Sequence, residues 1–552
     1  MIILFEEYHY EISQLEPILS ERYYLPLADG FRCKINYVGY YFDASRQAQP
    51  VMILPKVFLD DSGKVFGNFD PTDFLDLTAN AHTRNALKVE NKLGFLYEMN
   101  TWLFLSIKKF NERNVSNRIS ETSDLAQVIS NIGQQAISEL EIMRSLIRFN
   151  QEHQQLFTFI KKTNSSQNHK TDWAKTISRK TAYFQNGSPH YLDTLNKQKT
   201  VHYDEELIML FMSVLESFNQ KYFLKIPINS LYKTLSTTEF KSFINNGTRT
   251  LKRIKYKYFN DKLLKLWQLL YVFCERNEKI KAQKSFKEVL LVRDFNIVFE
   301  DIVDALLAEP NLPKQLKEQN DGKKIDHIYP YQDLLTEQDF IYHIADSKYY
   351  GANAKLSKHD QAKQYTYAKN VIQYNIDWLN VDKNTGNIKY RDELTEGYNV
   401  TPNFFISAFV NDNLDFREDG LKFKENFKGN NHFTNRLFDR DTLILRAYNI
   451  NFLYVLSAYI QNSNSQKETF KKHTRKQFRT ELVQYLNEKF EFRKIIVASD
   501  IEQFVEQNFK KLQGKIYRPS GWENELLLAV EKGTSVFEDF ENCKIESYYL
   551  SV

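Results

Sequence analysis

The run Phe340-Ile341-Tyr342-His343-Ile344-Ala345-Asp346-Ser347-Lys348-Tyr349-Tyr350 is apolar and aromatic until two charges enter it two residues apart. Side chains of a β-strand alternate in direction, so Asp346 and Lys348 share one face of the strand that this pattern predicts. Upstream, Lys324-Ile325-Asp326-His327-Ile328-Tyr329-Pro330 reads as a short strand with Asp326 near its start, and the polar stretch 331–339 as a hairpin or loop. Residues 290–307 predict a helix, because Phe295, Val298, Phe299, Ile302, Val303 and Leu306 recur at three- and four-residue spacing. Glu300 lies on the flank of that stripe. Downstream, 357–374 predicts a helix, 403–410 and 442–448 two further strands, and 451–460 another helix.

The same reading applied to the rest of the chain predicts strands at 31–42 and 51–58, a turn at 60–64 and an aromatic-rich helix at 96–110. A polar linker follows at 111–123. Leu125, Val128, Ile129, Ile132, Ala136, Leu140, Met143 and Ile147 form one stripe of period 3.6, which suits a helix packed on its own domain or on a partner. A loop is expected at 164–168 and a helix at 205–218. The resulting architecture is an α/β multidomain chain. Residues 1–115 form a β-rich N-terminal domain for partner or DNA docking, and 116–285 a mainly helical middle domain. Residues 286–465 carry a small mixed sheet flanked by helices, and 466–552 a helical tail.

Composition narrows this picture. At 552 residues the chain exceeds one ordinary core, and 14% aromatics with only 17 Gly and 12 Pro argue for packed domains with few long flexible linkers. A net charge of +4 does not by itself announce nucleic acid. Cys33, Cys274 and Cys543 match neither a zinc spacing nor a disulfide framework, and the start Met1-Ile2-Ile3-Leu4-Phe5-Glu6 lacks a basic signal region. No apolar run is long enough for a membrane span. The expectation is a soluble cytoplasmic protein. No complete G-x-x-x-x-G-K-[ST] loop is present, so the chain is expected to bind no nucleotide itself.

An acid and an amine side by side at a strand end suit phosphodiester hydrolysis, which needs a carboxylate to hold a divalent cation and a cation beside the attacking water. The order helix with Glu300, strand with Asp326, strand with Asp346-x-Lys348 is that of PD-(D/E)xK nucleases. Asp321-Gly322-Lys323 shares the bare D/E-x-K spacing but lies in a polar, Gly-bearing loop, and Glu239-Phe240-Lys241 and Glu90-Asn91-Lys92 share it with no acidic strand upstream at the right distance. Charges on the edge of an ordinary sheet would look the same. On the following helix, Lys363, Gln364 and Tyr367 are placed to meet a DNA phosphate, or to open a solvated helix with its tyrosine in the core. Lys252, Arg253 and Lys255, interleaved with Tyr256, Tyr258 and Phe259, suit a DNA backbone or a solvated face, as do Lys471, Lys472, Arg475, Lys476 and Arg479. His327 reads as structural.

The chain resembles the LlaJI-type restriction endonucleases, a family related to the McrC subunits of modification-dependent restriction systems. The resemblance rests on Ile53-Leu54-Pro55-Lys56-Val57-Phe58, Asp172-Trp173-Ala174-Lys175-Thr176-Ile177 with Ser188-Pro189-His190-Tyr191, and the elements around Glu300, Asp326 and Asp346-Ser347-Lys348. It extends through Asn435-Arg436-Leu437-Phe438-Asp439-Arg440-Asp441 and Asn451-Phe452-Leu453-Tyr454, spanning roughly residues 50–460. It implies cleavage of double-stranded DNA with Mg²⁺, for which Mn²⁺ can substitute, in concert with an McrB-like AAA+ GTPase and alongside cognate cytosine methyltransferases. Glu300, Asp326 and Asp346 would be the metal-binding acids, and Lys348 would orient water and stabilise developing charge. Ile325 replaces the proline that often precedes the first Asp. A second function implied by the resemblance is that of an adaptor stimulating the GTPase.

Overall fold

Two mixed sheets organise the chain in the computed structural model, which describes residues 1–47, 49–113, 119–120, 138–154, 159–165, 170–202, 205–282, 285–309, 311–318, 324–349, 356–380, 388–411, 413–424, 427, 429–461, 464–534, 540 and 543–552. The first sheet contains β1 (Ile2–Phe5), β2 (Tyr37–Asp43), β3 (Val51–Leu54) and β4 (Lys287–Arg293) in the order β1-β3-β2-β4, extended by Ile119–Ser120. β1 runs parallel to β3, and the other pairs are antiparallel. Gly39 faces Leu291 across β2 and β4 with φ of +136°, and a Cβ there would lie 2.1 Å from the Leu290 carbonyl oxygen. Only glycine lets these strands close.

β4 corrects the expected helix at 290–307. Its fully apolar segment Val289-Leu290-Leu291-Val292 is buried on both faces of the sheet. Asp294, in the left-handed region at φ 57°, turns the chain before the helix begins at Asn296. The strand expected at 31–42 is likewise interrupted, with Arg32–Ile35 and β2 separated at Asn36. That expected at 51–58 stops at Leu54, where Pro55 cannot donate to a ladder and Lys56–Phe58 turns as a 3-10 helix.

The second sheet holds β5 (His327–Gln332), β6 (Phe340–Lys348), β7 (Pro402–Phe409) and β8 (Leu443–Asn451) in that order, with short strands Lys422–Phe423 and Gly429–Asn431 on β8. β5 and β6 are antiparallel, and β6, β7 and β8 are parallel. The flanking helices are α1 (Lys92–Arg113), α2 (Asn296–Leu307), α3 (Lys358–Asn380) and α4 (Phe452–Ile460). α2 and α3 both pack on β6, which leaves its seven middle residues buried. Phe299, Phe452 and Tyr349 meet as neighbouring rings, and the Tyr349 hydroxyl donates to Glu6 Oε2 at 2.7 Å. The end of β6 is thereby fastened to the first sheet.

The middle region is mainly helical, with Glu139–Glu152, Glu206–Tyr222, Thr237–Ile254 and Asp261–Ala282. The stripe residues Leu140 and Met143 are buried as expected, whereas Leu125 through Ala136 lie outside the described residues. Asn164 and Ser165, expected in a loop, end the strand Phe159–Ser165, which pairs with Asn196–His202. The tail is not wholly helical. Helices Asn464–Lys489 and Ile501–Leu512 accompany an antiparallel sheet of Phe490–Val497, Glu525–Glu531, Cys543–Tyr548 and Ile516–Tyr517. Among the described residues no helix is long and apolar enough to cross a membrane.

A buried ionic knot joins the middle region to the first sheet. Arg276 bonds Glu288 of β4 through Nε at 2.8 Å and Nη2 at 2.9 Å, and pairs with Glu139 at 2.9 Å. Tyr40 of β2 donates to Glu288 at 2.9 Å, and Lys221 to Glu139 at 2.7 Å. Burial alone would raise the Glu139 carboxyl, but Arg276 and Lys221 hold it down at about 2.

Candidate active site

The parallel pairing of β6 with β7 sets Asp346 against Phe405 and Lys348 against Ser407 near the strand ends. Being two residues apart, both charges project from one face of β6, toward the start of α3. Lys348 Nζ lies 2.6 Å from Asp346 Oδ2 and 2.9 Å from Asp360 Oδ1. Lys363 Nζ approaches Asp346 Oδ1 at 3.5 Å. The Asp346 side chain is 1% exposed, and neither of its oxygens has a well-aligned hydrogen-bond donor among the described residues. Its neutralisation is therefore by close charge contact. Burial would lower the Lys348 ammonium, but Asp346 and Asp360 outweigh it and hold it above the ordinary lysine range.

Asp326, just ahead of β5, accepts a hydrogen bond from the Ser347 backbone N–H at 3.1 Å, which brings it to the base of the Asp346-x-Lys348 step. Its carboxyl is raised well above the usual range by burial, then by repulsion from Asp346 and Glu300, with Lys363 opposing. Glu300, half-buried on α2, is raised by burial and by Asp346, while His327 pulls the other way. Three carboxylates thus repel one another across α2, β5 and β6. His327, buried beside Asp326, bridges elements: its Nε2 is 2.6 Å from Ser347 Oγ and its Nδ1 3.4 Å from Asp304 Oδ1.

The donor set is all oxygen, the preference of hard divalent cations. Mutual repulsion among buried carboxylates is what such a cation relieves. The expected set of Glu300, Asp326 and Asp346 as three ligands is not closed, however: among the described residues no group of three or more His, Cys, Asp or Glu is set to hold a metal ion. Lys348 and Lys363 supply the positive charge at Asp346 instead. The residues fit a cation in chemistry, with Asp326 brought toward Asp346 through the Ser347 backbone N–H.

Of the α3 residues, Lys363 reaches the site directly and also lies over the Tyr367 ring at 5.3 Å. Tyr367 is buried, its hydroxyl raised by burial, with Asp326 and Asp346 acting in the same direction against Lys363. Gln364 is also buried, and both heteroatoms of its amide lack hydrogen-bond partners among the described residues. Gln364 and Tyr367, expected to meet a DNA phosphate, are thus both buried. Lys252, Arg253 and Lys255 lie elsewhere, exposed along Thr237–Ile254 and its following turn. Arg253 pairs with Glu206 at 3.0 Å, and Lys255 sits over Trp267 at 4.8 Å. Sequence reading passed over Asp360, although Ser357-x-x-Asp360 has the form of a capping box, and Ser357 Oγ does bond Asp360 at 2.6 Å. Asp304 and Ser347, which hold His327, left no comparable signal.

A family model described as LlaJI restriction endonuclease matches residues 85–391, more than half of the chain and the whole of this carboxylate cluster. No curated protein matches. Among solved structures, a match is found to a chain of a tetradecameric assembly of Thermococcus gammatolerans McrB AAA+ hexamers with bound McrC. It has 14% sequence identity, covers 86% of this chain and 99% of that chain, and has a TM-score of 0.30.

Proposed function

Because the chain belongs to the LlaJI restriction endonuclease family, we propose that it is the DNA-cutting subunit of a restriction system, hydrolysing phosphodiester bonds with Mg²⁺ and an AAA+ GTPase partner. The observation that carries this reading is the contact of Lys348 with Asp346, beside the repelling carboxyls of Asp326 and Glu300. The GTPase partner is supported by the sequence resemblance to McrC subunits and by the lack of a phosphate-binding loop in the chain.

Asp326 and Asp346 would hold the cation, and Glu300 would complete the set or hold a water. A bound divalent cation would polarise the scissile phosphate and make water acidic enough to attack. Lys348, kept protonated by two carboxylates, is not a base. Its ammonium positions the water and offsets negative charge growing on the phosphate. Asp360 holds that ammonium in place from the first turn of α3. Lys363, the more exposed of the two amines at 35%, is placed to contact a neighbouring phosphate when the cation takes over Asp346.

Supercoiled plasmid incubated with this protein, an McrB-like AAA+ GTPase partner, GTP and Mg²⁺ is expected to be cut, and EDTA to stop the reaction. Cleavage that persists in EDTA would sink the proposal. Asp360→Asn, by freeing Lys348 from one anchor, is expected to slow cleavage about tenfold, a loss of about 1.4 kcal/mol of transition-state stabilisation. An unaltered single-turnover rate would remove Asp360 from the account.

A further inference from the structure

Behind α2 lies a groove that the reaction above does not use. It is open, has a volume of about 630 Å³, and is formed by α1, α2, the short helix Lys314–Lys317 and the helix Asn464–Lys489. Seven basic side chains line it against three acidic ones, a net of +4.

Four of the seven are paired, Arg113 with Asp301, Lys314 with Glu318, Lys317 with Asp304 and Lys471 with Glu468, whereas Lys109, Lys324 and Lys467 have no ion pair among the described residues. Lys109 donates to the Tyr459 carbonyl at 2.5 Å and lies over that ring at 4.8 Å, with Arg113 over the same ring at 5.7 Å. Lys109 has no ion pair among the described residues, and burial together with the neighbouring Lys467 brings its ammonium down to about 8. Like charges held this close are relieved by a bound anion. One wall of the groove is continuous with the carboxylate site. Lys317 pairs with Asp304 at 2.6 Å, Asp304 stands one helical turn beyond Glu300, and Lys324 precedes Asp326 by two residues.

We propose that this groove seats the phosphodiester backbone of a DNA duplex beside the bond to be cut, with Lys109, Lys324 and Lys467 as phosphate contacts. The proposal rests on the nuclease reading but adds a binding surface to it. Backbone neutralisation by lysines gives affinity without sequence preference and a steep salt dependence.

The test titrates the full-length protein into a fluorescein-labelled 30-base-pair duplex in EDTA, between 50 and 250 mM KCl. Lys109→Gln and Lys467→Gln, each first checked for an unchanged melting temperature, are expected to bind more weakly. Each should reduce the slope of log Kd against log salt by about 1. Affinity and slope equal to wild type in both variants would overturn the proposal, whether the groove is a solvated face or serves an acidic protein. Failure of the nuclease reading would look different: the lysine variants would lose DNA binding while the wild-type protein, with its GTPase partner, GTP and Mg²⁺, cut no plasmid.

Discussion

Asp346→Asn is expected to abolish DNA cleavage, by about 10³-fold or more, with duplex binding and melting temperature close to wild type. The substitution keeps the shape of the side chain and removes its charge. Lys348 retains Asp360 at 2.9 Å, and Lys363 is exposed enough to regain water, so neither amine is stranded. A buried ion pair contributes little net stability, since desolvation offsets its Coulomb attraction. The loss should therefore fall on chemistry. Lys348→Met is expected to reduce cleavage by about 10²-fold or more through loss of the charge facing the phosphate. If either variant cuts at the wild-type rate with the partner present, the site is wrongly assigned.

Arg276→Met is expected to be the most damaging single change to the fold, costing about 3–5 kcal/mol. Its guanidinium lies between Glu139 and Glu288, all three side chains being 6–7% exposed. Removing it leaves two buried carboxylates, one retaining Lys221 and Tyr222, the other, among the described residues, only the Tyr40 hydroxyl. Because Glu288 belongs to β4 and Tyr40 to β2, the damage should spread from the middle helices into the first sheet. Thermal unfolding monitored by circular dichroism would check this, with a lowered first transition expected. Melting at the wild-type temperature would show that the knot is dispensable.

Much of the site was readable because its signals are local. The alternation of Phe340 to Lys348 marks β6, and the stripe from Phe295 to Leu306 marks α2. What failed was periodicity in short apolar runs. Val289 to Val292 is uniformly apolar, and such a run fits a strand buried on both faces as well as a helix. Periodicity joins Leu290, Leu291 and Val292 to the α2 stripe, whereas the chain turns at Asp294 between strand and helix. Gln364 lies on the buried face of α3, and its spacing shows it. With Tyr367, Ala368 and Val371 it forms an i, i+3, i+4, i+7 set, and all four are buried. The tail misled for another reason. Phe490, Phe492, Ile495 and Val497 are buried in an only partly alternating strand, flanked by two helices that dominate the composition.

Mn²⁺ binding offers the most direct check on the central idea that Glu300, Asp326 and Asp346 share a divalent cation. Electron paramagnetic resonance of Mn²⁺ titrated into the DNA-free protein should show saturable binding in the wild type, weakened at least about tenfold in both Asp326→Asn and Asp346→Asn. Equal binding in all three proteins would place any cation elsewhere and contradict the account.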